Sequence, residues 1–435
     1  MRRWLEPGLG VKRWLGLMII GTALIGLGVA VVLLDVYRKY PGSPWLGLLA
    51  LSAWPRWLRA VVLGTAGIGL FMLGLTRLYR TLLSPFTRSG KPMIDNVAEH
   101  RRLKRGPKIV AIGGGTGLAI LLRGLKQYSG NITAVVTVAD DGGSSGRLRR
   151  SLGLLPPGDL RNCLAALSDD EALLTQLFQY RFTEGDDLTG HSFGNLFIAA
   201  LAGATGSFEQ GILEAGKVLA IRGRVLPATL ADVSLEAEKA PEPNARSVRI
   251  IGESSISAHP GRILRVNLEP KSPPAYPEAI RAILSADMIV IGPGSLYTSV
   301  LPPLLVRDVP QAIQASKAFK VYVGNMITQP GETDGFDVQA HLQALEDHIG
   351  EGLIDLMLLN SDFSANLPEG VNWVKVSAQP KVMVPAYESS FGGDEAPWKH
   401  DSYKLAERLV ALLEERTGPL ELPLVANNKP RSELN

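Results

Sequence analysis

The stretch Gly113-Gly-Gly-Thr-Gly117 decides the fold of this chain. It follows the apolar run 108–112, which predicts a strand, and precedes residues 118–125, whose apolar spacing predicts a helix. Glycines let the backbone approach a ligand closely, and the start of a helix offers unpaired N–H groups to an anion. The spacing is neither that of a GxGxxG motif nor that of a Walker A loop. A phosphate cradle and a tight turn without a ligand therefore both fit this stretch.

Charge is distributed unevenly along the chain, although the formal net charge of its 435 residues is only +3. Residues 1–107 hold 16 Lys and Arg against 4 Asp and Glu, a net of +12, so the remainder holds 29 against 38, a net of −9. This acidic remainder does not support nucleic-acid binding. Cys163 is the only cysteine, which excludes an intrachain disulfide and is typical of a cytosolic domain.

The N-terminal quarter predicts a transmembrane helical hairpin, residues 1–87, followed by a basic linker, 88–107. Residues 14–34 are apolar or small and long enough to span a bilayer, although a signal peptide is the competing interpretation. Residues 60–75 are shorter, so an interfacial helix remains an alternative to a second span. The basic excess after this stretch places the C-terminal domain in the cytoplasm, anchored to the inner or the thylakoid membrane.

From Lys108 onward, apolar runs alternate with helical segments, which predicts an α/β domain over residues 108–417 with a mainly parallel, doubly wound sheet of Rossmann type. Residues 231–237 and 246–252 predict an antiparallel hairpin that departs from this sheet. Further strands are predicted at 132–138, 263–268, 286–291, 320–323 and 354–359, and an amphipathic helix at 403–415. Residues 418–435 show no periodicity and are expected to be a disordered tail.

A second glycine-rich loop, Gly292-Pro-Gly-Ser-Leu-Tyr-Thr-Ser299, follows the predicted strand 286–291. Doubly wound sheets bind ligands at the carboxyl ends of their strands, where the strand order reverses. Two such loops therefore favour a ligand site over a simple turn. Asp140 and Asp141 follow the second strand, near the position where an acidic residue meets a ribose, although a helix cap is the alternative. A Gly/Ser loop with Arg147 and Arg149 comes next and suits a second anion.

Several motifs together resemble the YvcK proteins, the gluconeogenesis factors. They are Gly113-Gly-Gly-Thr-Gly117, Val138-Ala-Asp-Asp-Gly-Gly-Ser-Ser-Gly-Arg147, Pro156-Pro-Gly-Asp-Leu-Arg-Asn162, Gly190-His-Ser-Phe-Gly-Asn195, Gly292-Pro-Gly-Ser-Leu-Tyr-Thr-Ser299 and Thr328-Gln-Pro-Gly-Glu-Thr333. The match runs in order from about residue 108 to 360. These proteins are similar in fold to CofD, the 2-phospho-L-lactate transferase of deazaflavin cofactor synthesis. The family form is usually soluble, so the predicted hairpin is a departure.

The resemblance implies a Rossmann-like, CofD-like domain that binds the nucleotide sugar UDP-GlcNAc and is needed for cell shape during gluconeogenic growth. It implies no required cofactor, although Mg²⁺ on Asp140 and Asp141 is an option. A homo-oligomer and regulators of cell-wall synthesis are the expected partners. Residue by residue, the implied contacts are Gly114, Gly115, Thr116 and Gly117 for the diphosphate, Asp140 and Asp141 for ribose or metal, Arg161, Asn162 and Asn195 for phosphate or sugar, and Gly294, Ser295, Tyr297 and Thr298 on the second loop.

Three functions share this fold, and fold alone does not decide among them. A nucleotide-sugar-binding regulator without turnover is the leading expectation. A CofD-like transferase of a nucleotide-linked phospholactate is the alternative, because Asp140, Asp141 and Arg161 suit phosphoryl chemistry. A nicotinamide oxidoreductase is the third, but the sequence shows no group of residues suited to hydride transfer.

Overall fold

The computed structural model describes residues 102–169, 176–240, 246–376 and 384–417, together with isolated positions between 20 and 73. The chain divides into two compact units, Met1–Arg101 and Arg102–Asn435. The second unit begins slightly before the predicted boundary at residue 108, because Leu103 is buried and its carbonyl accepts a hydrogen bond from the Gly130 N–H. The predicted tail 418–435 lies outside the described residues.

In the first unit, the described positions between 20 and 39 and between 57 and 73 are all helical. The predicted hairpin and most of the basic linker lie largely outside the described residues. Where the chain is described, no single helix is long and apolar enough to cross a membrane; only the helices Phe193–Thr205 and Phe208–Val218 reach that length and composition jointly, and they meet at a bend of 118°.

The second unit is built on a seven-stranded, entirely parallel sheet in the order β10-β9-β8-β7-β1-β2-β3. Numbered along the described chain, the strands are β1 (Ile109–Gly113), β2 (Ile132–Val136), β3 (Arg224–Pro227), β4 (Ser234–Ala240), β5 (Val248–Ile251), β6 (Arg262–Glu269), β7 (Met288–Ile291), β8 (Phe319–Val323), β9 (Leu356–Asn360) and β10 (Ala386–Ser389). Every residue of β1, β2 and β7 is buried, as expected for central strands covered by helices on both faces. The predicted Rossmann-like α/β fold is confirmed.

The helices of the second unit cover both faces of the sheet and connect its strands. They are α1 (Gly115–Leu125), α2 (Gly143–Leu152), α3 (Gly158–Leu167), α4 (Phe193–Thr205), α5 (Phe208–Val218), α6 (Glu253–Ala258), α7 (Pro277–Leu284), α8 (Leu301–Leu304), α9 (Val309–Ala315), α10 (Val338–Ile349) and α11 (Ser402–Thr417). A short π-helix, Leu296–Val300, runs directly into α8. The long helix α11 packs closely on α1, where a Cβ at Gly124 would lie 1.8 Å from the Ser402 carbonyl oxygen.

The strand order reverses between β1 and β7. Strand β1 pairs with β2 on one side and with β7 on the other, so the chain first builds outward through β2 and β3 and then returns to the far side of β1. The two predicted glycine loops follow these two neighbouring strands. The topology therefore confirms the prediction that both loops lie where the strand order reverses.

The predicted antiparallel hairpin is confirmed as β4 and β5, and β6 pairs with the other edge of β4 to complete a separate three-stranded sheet. This small sheet ends in α6, because Gly252 follows β5 and starts that helix. Buried Lys239 on β4 ties the end of α6 to the loop after β8, since its Nζ donates to the carbonyls of Ile256 and Gly331 at 2.8 and 2.7 Å. Through this contact, the small sheet positions α6 next to the loop that follows β8 of the main sheet.

One local prediction is wrong. The glycines and serines after Asp141 form the first turns of helix α2 and not a loop. Ser144, Ser145 and Gly146 are buried there, and a Cβ at Gly146 would lie 1.9 Å from the Asp141 carbonyl oxygen. These residues have low helix propensity, so the helix is selected by its close packing and not by its composition.

Candidate functional site

The two glycine loops touch each other at the carboxyl ends of β1 and β7. A Cβ at Gly117 would lie 2.5 Å from the carbonyl oxygen of Pro293 and 3.0 Å from the Cα of Gly294. Gly115 and Gly292 have φ angles of +64° and +80°, which strongly favour glycine. The glycines of both loops are therefore required by backbone conformation and by close approach.

A cavity of about 360 Å³, which we call the loop cavity, lies against these loops. Its size is within the range of small-molecule sites. It is lined by Gly114, Gly115, Thr116, Gly117, Ile120, Glu253, Pro293, Gly294, Ser295, Ser299, Asn325, Met326, Ile327, Gln329, Trp398, Lys399 and His400. Two other cavities, of about 300 and 400 Å³, lie beside the edge strand β3 and at the amino ends of the strands, away from both loops.

Six of the predicted contacts line the loop cavity: Gly114, Gly115, Thr116, Gly117, Gly294 and Ser295. Helix α1 starts at its edge without a capping side chain and without an acidic residue in its first turn. The Gly115 N–H donates to Asp159, so the N–H groups that follow it and the positive end of the helix dipole are the features that suit an anion. Lys399 adds a cationic side chain to the lining.

Tyr297 and Thr298 do not line the loop cavity, although the sequence placed them on its second loop. The π-helix turns both side chains into the core, where Tyr297 is 2% exposed and packs edge-on against Phe336. The Thr298 hydroxyl donates to the buried carboxylate of Glu332 at 3.2 Å. Both side chains therefore stabilise the second glycine loop from the core and do not face the loop cavity.

Three carboxyl groups gather beside the first glycine loop and form what we call the acid cluster: Asp140, Asp159 and Glu253. Glycines make room for them, because a Cβ at Gly114 would lie 2.6 Å from Asp159 Oδ2 and a Cβ at Gly158 would lie 2.7 Å from Asp140 Oδ2. The cluster joins the end of β2, the start of α3 and the start of α6.

Burial and the repulsion between neighbouring carboxylates raise the pKa values of two members of the acid cluster. Burial, and then the neighbouring charge of Asp140, raises the pKa of Asp159 to about 6, against the opposing hydrogen bond from the Gly115 N–H. Burial, and then the charges of Asp140 and Asp159, raises the pKa of Glu253 to about 9. Glu253 is therefore protonated at neutral pH and bonds to Asp140.

Asp141 organises the site from outside the loop cavity. Its Oδ1 accepts hydrogen bonds from the backbone N–H and the hydroxyl of Ser254, at 3.0 and 2.8 Å. It thereby holds the first turn of α6 and positions the adjacent Glu253. Asp141 therefore caps a helix, which was the alternative interpretation of this residue. The helix that it caps is α6, which comes from a distant part of the chain.

The predicted contacts Arg161, Asn162 and Asn195 also do not line the loop cavity but form a polar layer near the acid cluster. Arg161 donates to Ser192 Oγ at 2.6 Å and to Asn162 Oδ1 at 2.9 Å. Asn195 is 2% exposed and donates to Ser145 Oγ at 3.2 Å, while its Oδ1 has no hydrogen-bond partner among the described residues. Burial lowers the pKa of Arg161, and the electrostatic interaction of Arg161 with Asp159 and Asp140 partly offsets this lowering.

Within the described ranges, no group of three or more His, Cys, Asp and Glu side chains is arranged to hold a metal ion. Mg²⁺ commonly binds one or two protein carboxylates and completes its shell with substrate phosphates and water. Asp140 and Asp159, next to the first glycine loop, fit that donor set, with the Asp140 Oδ1 also accepting the Gly142 N–H at 2.9 Å. Asp141 fits it less well, since its Oδ1 accepts two hydrogen bonds, from the N–H and the hydroxyl of Ser254.

Sequence reasoning missed Asp159 as a cluster member, Glu253, and the segment Trp398-Lys-His400. The Pro-Gly-Asp turn around Asp159 was visible as a helix start, and Asn325 and Gln329 were visible as polar residues at the same sheet edge. No local signal marks Glu253 or Trp398, because each reaches the cavity from a distant segment.

Comparisons with known proteins agree with this architecture. The family model described as 2-phospho-L-lactate transferase CofD matches residues 109–385. A gluconeogenesis factor from Bacillus subtilis is 48% identical over 323 residues, covering 71% of this chain and 99% of the relative. A relative from Nostoc sp. is 51% identical over 369 residues, covering 82% of this chain and 78% of the relative.

A solved structure shows the same fold. The crystal structure of a UPF0052-family protein from Bacillus halodurans, at 2.60 Å resolution, superposes with a TM-score of 0.65 at 45% identity, covering 70% of this chain and 99% of that chain. The glycine loops, the sheet order and these matches together assign the family. The chain belongs to the CofD family and, within it, groups with the gluconeogenesis factors, the YvcK or UPF0052 proteins.

Proposed function

We propose that the loop cavity binds a nucleotide sugar, UDP-GlcNAc, and that the protein acts as a regulator that signals this bound state. The main support for this ligand site is that two glycine loops meet at the carboxyl ends of adjacent parallel strands, where the strand order reverses. Lys399 and the N–H groups of the first turn of α1 that follow Gly115 supply the positive potential that a diphosphate needs.

The regulatory role and its link to cell shape during gluconeogenic growth extend this proposal by resemblance to the gluconeogenesis factors. A homo-oligomer and regulators of cell-wall synthesis are the proposed partners. The apolar composition of residues 14–34 supports a membrane anchor for the domain. Alkaline carbonate washing of isolated membranes tests the anchor: the full chain should stay in the pellet, and its release into the wash would contradict an anchor.

A CofD-like transfer reaction is the second candidate, and the acid cluster favours it. Asp140 and Asp159 lie beside the proposed diphosphate site, where a Mg²⁺ ion held by them and by phosphate oxygens would stabilise charge on a transferring phosphoryl group. A regulator needs such a group only for binding. The two candidates therefore differ in turnover and not in site.

Titration calorimetry of the full chain with UDP-GlcNAc, GDP and NAD, each with and without Mg²⁺, separates these functions. We expect UDP-GlcNAc to bind and to be recovered unchanged after long incubation. Formation of a phospho-ester product with a nucleotide-linked substrate would establish the transferase instead. Binding of NAD in preference to both other ligands would contradict both candidates.

A further inference from the structure

A loop between β10 and α11, residues 391–401, forms the wall of the loop cavity that carries Trp398. Its two ends are tied together, because the Asp401 N–H donates to the Phe391 carbonyl at 2.7 Å. Phe391 is 1% exposed, and its own N–H donates to Asn360 Oδ1 at the end of β9. The loop is therefore anchored to the carboxyl edge of the sheet.

His400 gives the loop a second anchor. It hydrogen-bonds to the backbone at Gly324, directly after β8, and burial lowers the pKa of its imidazole to about 4, so the ring is neutral. The loop is also tightly packed within itself, since a Cβ at Gly392 would lie 2.5 Å from the Pro397 carbonyl oxygen. Trp398 is thus presented by a preorganised backbone.

Trp398 is partly buried, so the fold covers much of its side chain and leaves part of it exposed. It has no hydrogen bond or ring contact with any residue that the structure describes, although it lines the loop cavity. The other tryptophan in the described part of the domain, Trp373, packs edge-on against Phe363 at 5.7 Å between ring centroids. A large aromatic side chain that lines a cavity, sits on an anchored loop and has no ring contact among the described residues suits a planar ligand group.

We propose that Trp398 stacks on the nucleobase of the bound nucleotide, an inference that rests on the proposed function. The glycine loops take the diphosphate, and the polar side chains of Asn325 and Gln329 on the same cavity suit sugar hydroxyls. Trp398 is the large aromatic side chain in the lining, so the base lies against it. Stacking recognises any base through its π face and therefore contributes affinity without choosing the base.

The test measures binding of UDP, UDP-GlcNAc and inorganic pyrophosphate to the full chain by calorimetry. In Trp398→Leu we expect affinity for both uridine nucleotides to fall by about 10-fold to 100-fold, while pyrophosphate, which lacks a base, binds as to the parent. Trp398→Phe should restore most of the affinity because it keeps an aromatic face. Trp373→Phe is the matched control and should leave all three affinities unchanged.

Tryptophan fluorescence provides a second readout. Nucleotide binding should quench emission in the parent and in Trp373→Phe, and this quenching should be lost in Trp398→Phe even though that variant still binds. Thermal denaturation of each variant checks that it is folded.

Each other outcome overturns the inference in an identifiable way. An equal loss of pyrophosphate affinity in Trp398→Leu would show that the loop supports the glycine cradle. A loss confined to UDP-GlcNAc, with UDP unchanged, would place the ring against the sugar. A parent that binds nucleotides while Trp398→Leu binds them equally well removes only the stacking role, whereas a parent that binds no nucleotide removes the proposed function as well.

Discussion

Replacing Gly117 with alanine is expected to abolish high-affinity nucleotide binding. The added Cβ would lie 2.5 Å from the Pro293 carbonyl oxygen and 2.8 Å from its carbonyl carbon, both backbone atoms that cannot rotate away. The two glycine loops must then separate, which displaces the start of α1 from the proposed diphosphate site. Overpacking of this kind destabilises a fold by about 1–3 kcal/mol.

Calorimetry with UDP-GlcNAc and urea denaturation measure the two effects of Gly117→Ala. Gly203→Ala is the matched control, because Gly203 lies in helix α4 and, apart from the backbone of its own helix, no atom of the described residues lies within 4 Å of its added Cβ. This control should bind normally and gain about 0.5–1 kcal/mol of stability from reduced backbone entropy in the unfolded chain. Normal binding by Gly117→Ala would show that contact between the loops is not needed for the site.

Replacing Asp159 with asparagine is expected to stabilise the protein near neutral pH. The folded-state pKa of Asp159, about 6, lies above its ordinary value of 3.8, so the folded protein holds this proton more tightly than the unfolded chain does. The contribution to stability is full below about pH 4 and is lost as the pH rises to about 6. A difference of two pKa units corresponds to about 3 kcal/mol, and asparagine avoids this loss while still accepting the Gly115 N–H.

Urea denaturation at pH 4 and at pH 7.5 checks this prediction. The unfolding free energy of Asp159→Asn should exceed that of the parent by about 2–3 kcal/mol at pH 7.5 and match it at pH 4. Asp186→Asn, at an exposed aspartate, is the control and should change neither value. A stability difference that is the same at both pH values would contradict the assigned burial of charge.

The more stable Asp159→Asn variant is expected to lose function. A charged carboxylate that is held in a largely buried site against Asp140 is ready to receive a cation or a proton donor. We therefore expect Asp159→Asn to lose any increase in UDP-GlcNAc affinity that Mg²⁺ gives the parent. Destabilised groups at a binding site are a recurrent trade between stability and activity.

Much of the frame of this site was predictable from local sequence. Both strand–glycine–helix units, the antiparallel hairpin of β4 and β5, and the family resemblance are confirmed. The short edge strands β3 and β10 were not predicted, since four residues give little periodicity. Helix α2 was not predicted, because its glycines and serines have low helix propensity and its stability comes from packing.

The sequence by itself determined the positions at which the backbone requires glycine. A positive φ or a close approach of two chain segments constrains a single residue, so the requirement is visible in the identity of that residue. The sequence thereby determined the loops Gly113–117 and 292–294. Only the tertiary structure decided which side chains meet those loops. It brought Glu253 from the small sheet and Trp398 from beyond β10, and it turned Tyr297 and Asp141 to supporting roles. The physical reason is that such contacts depend on long-range packing, which no short window of sequence contains.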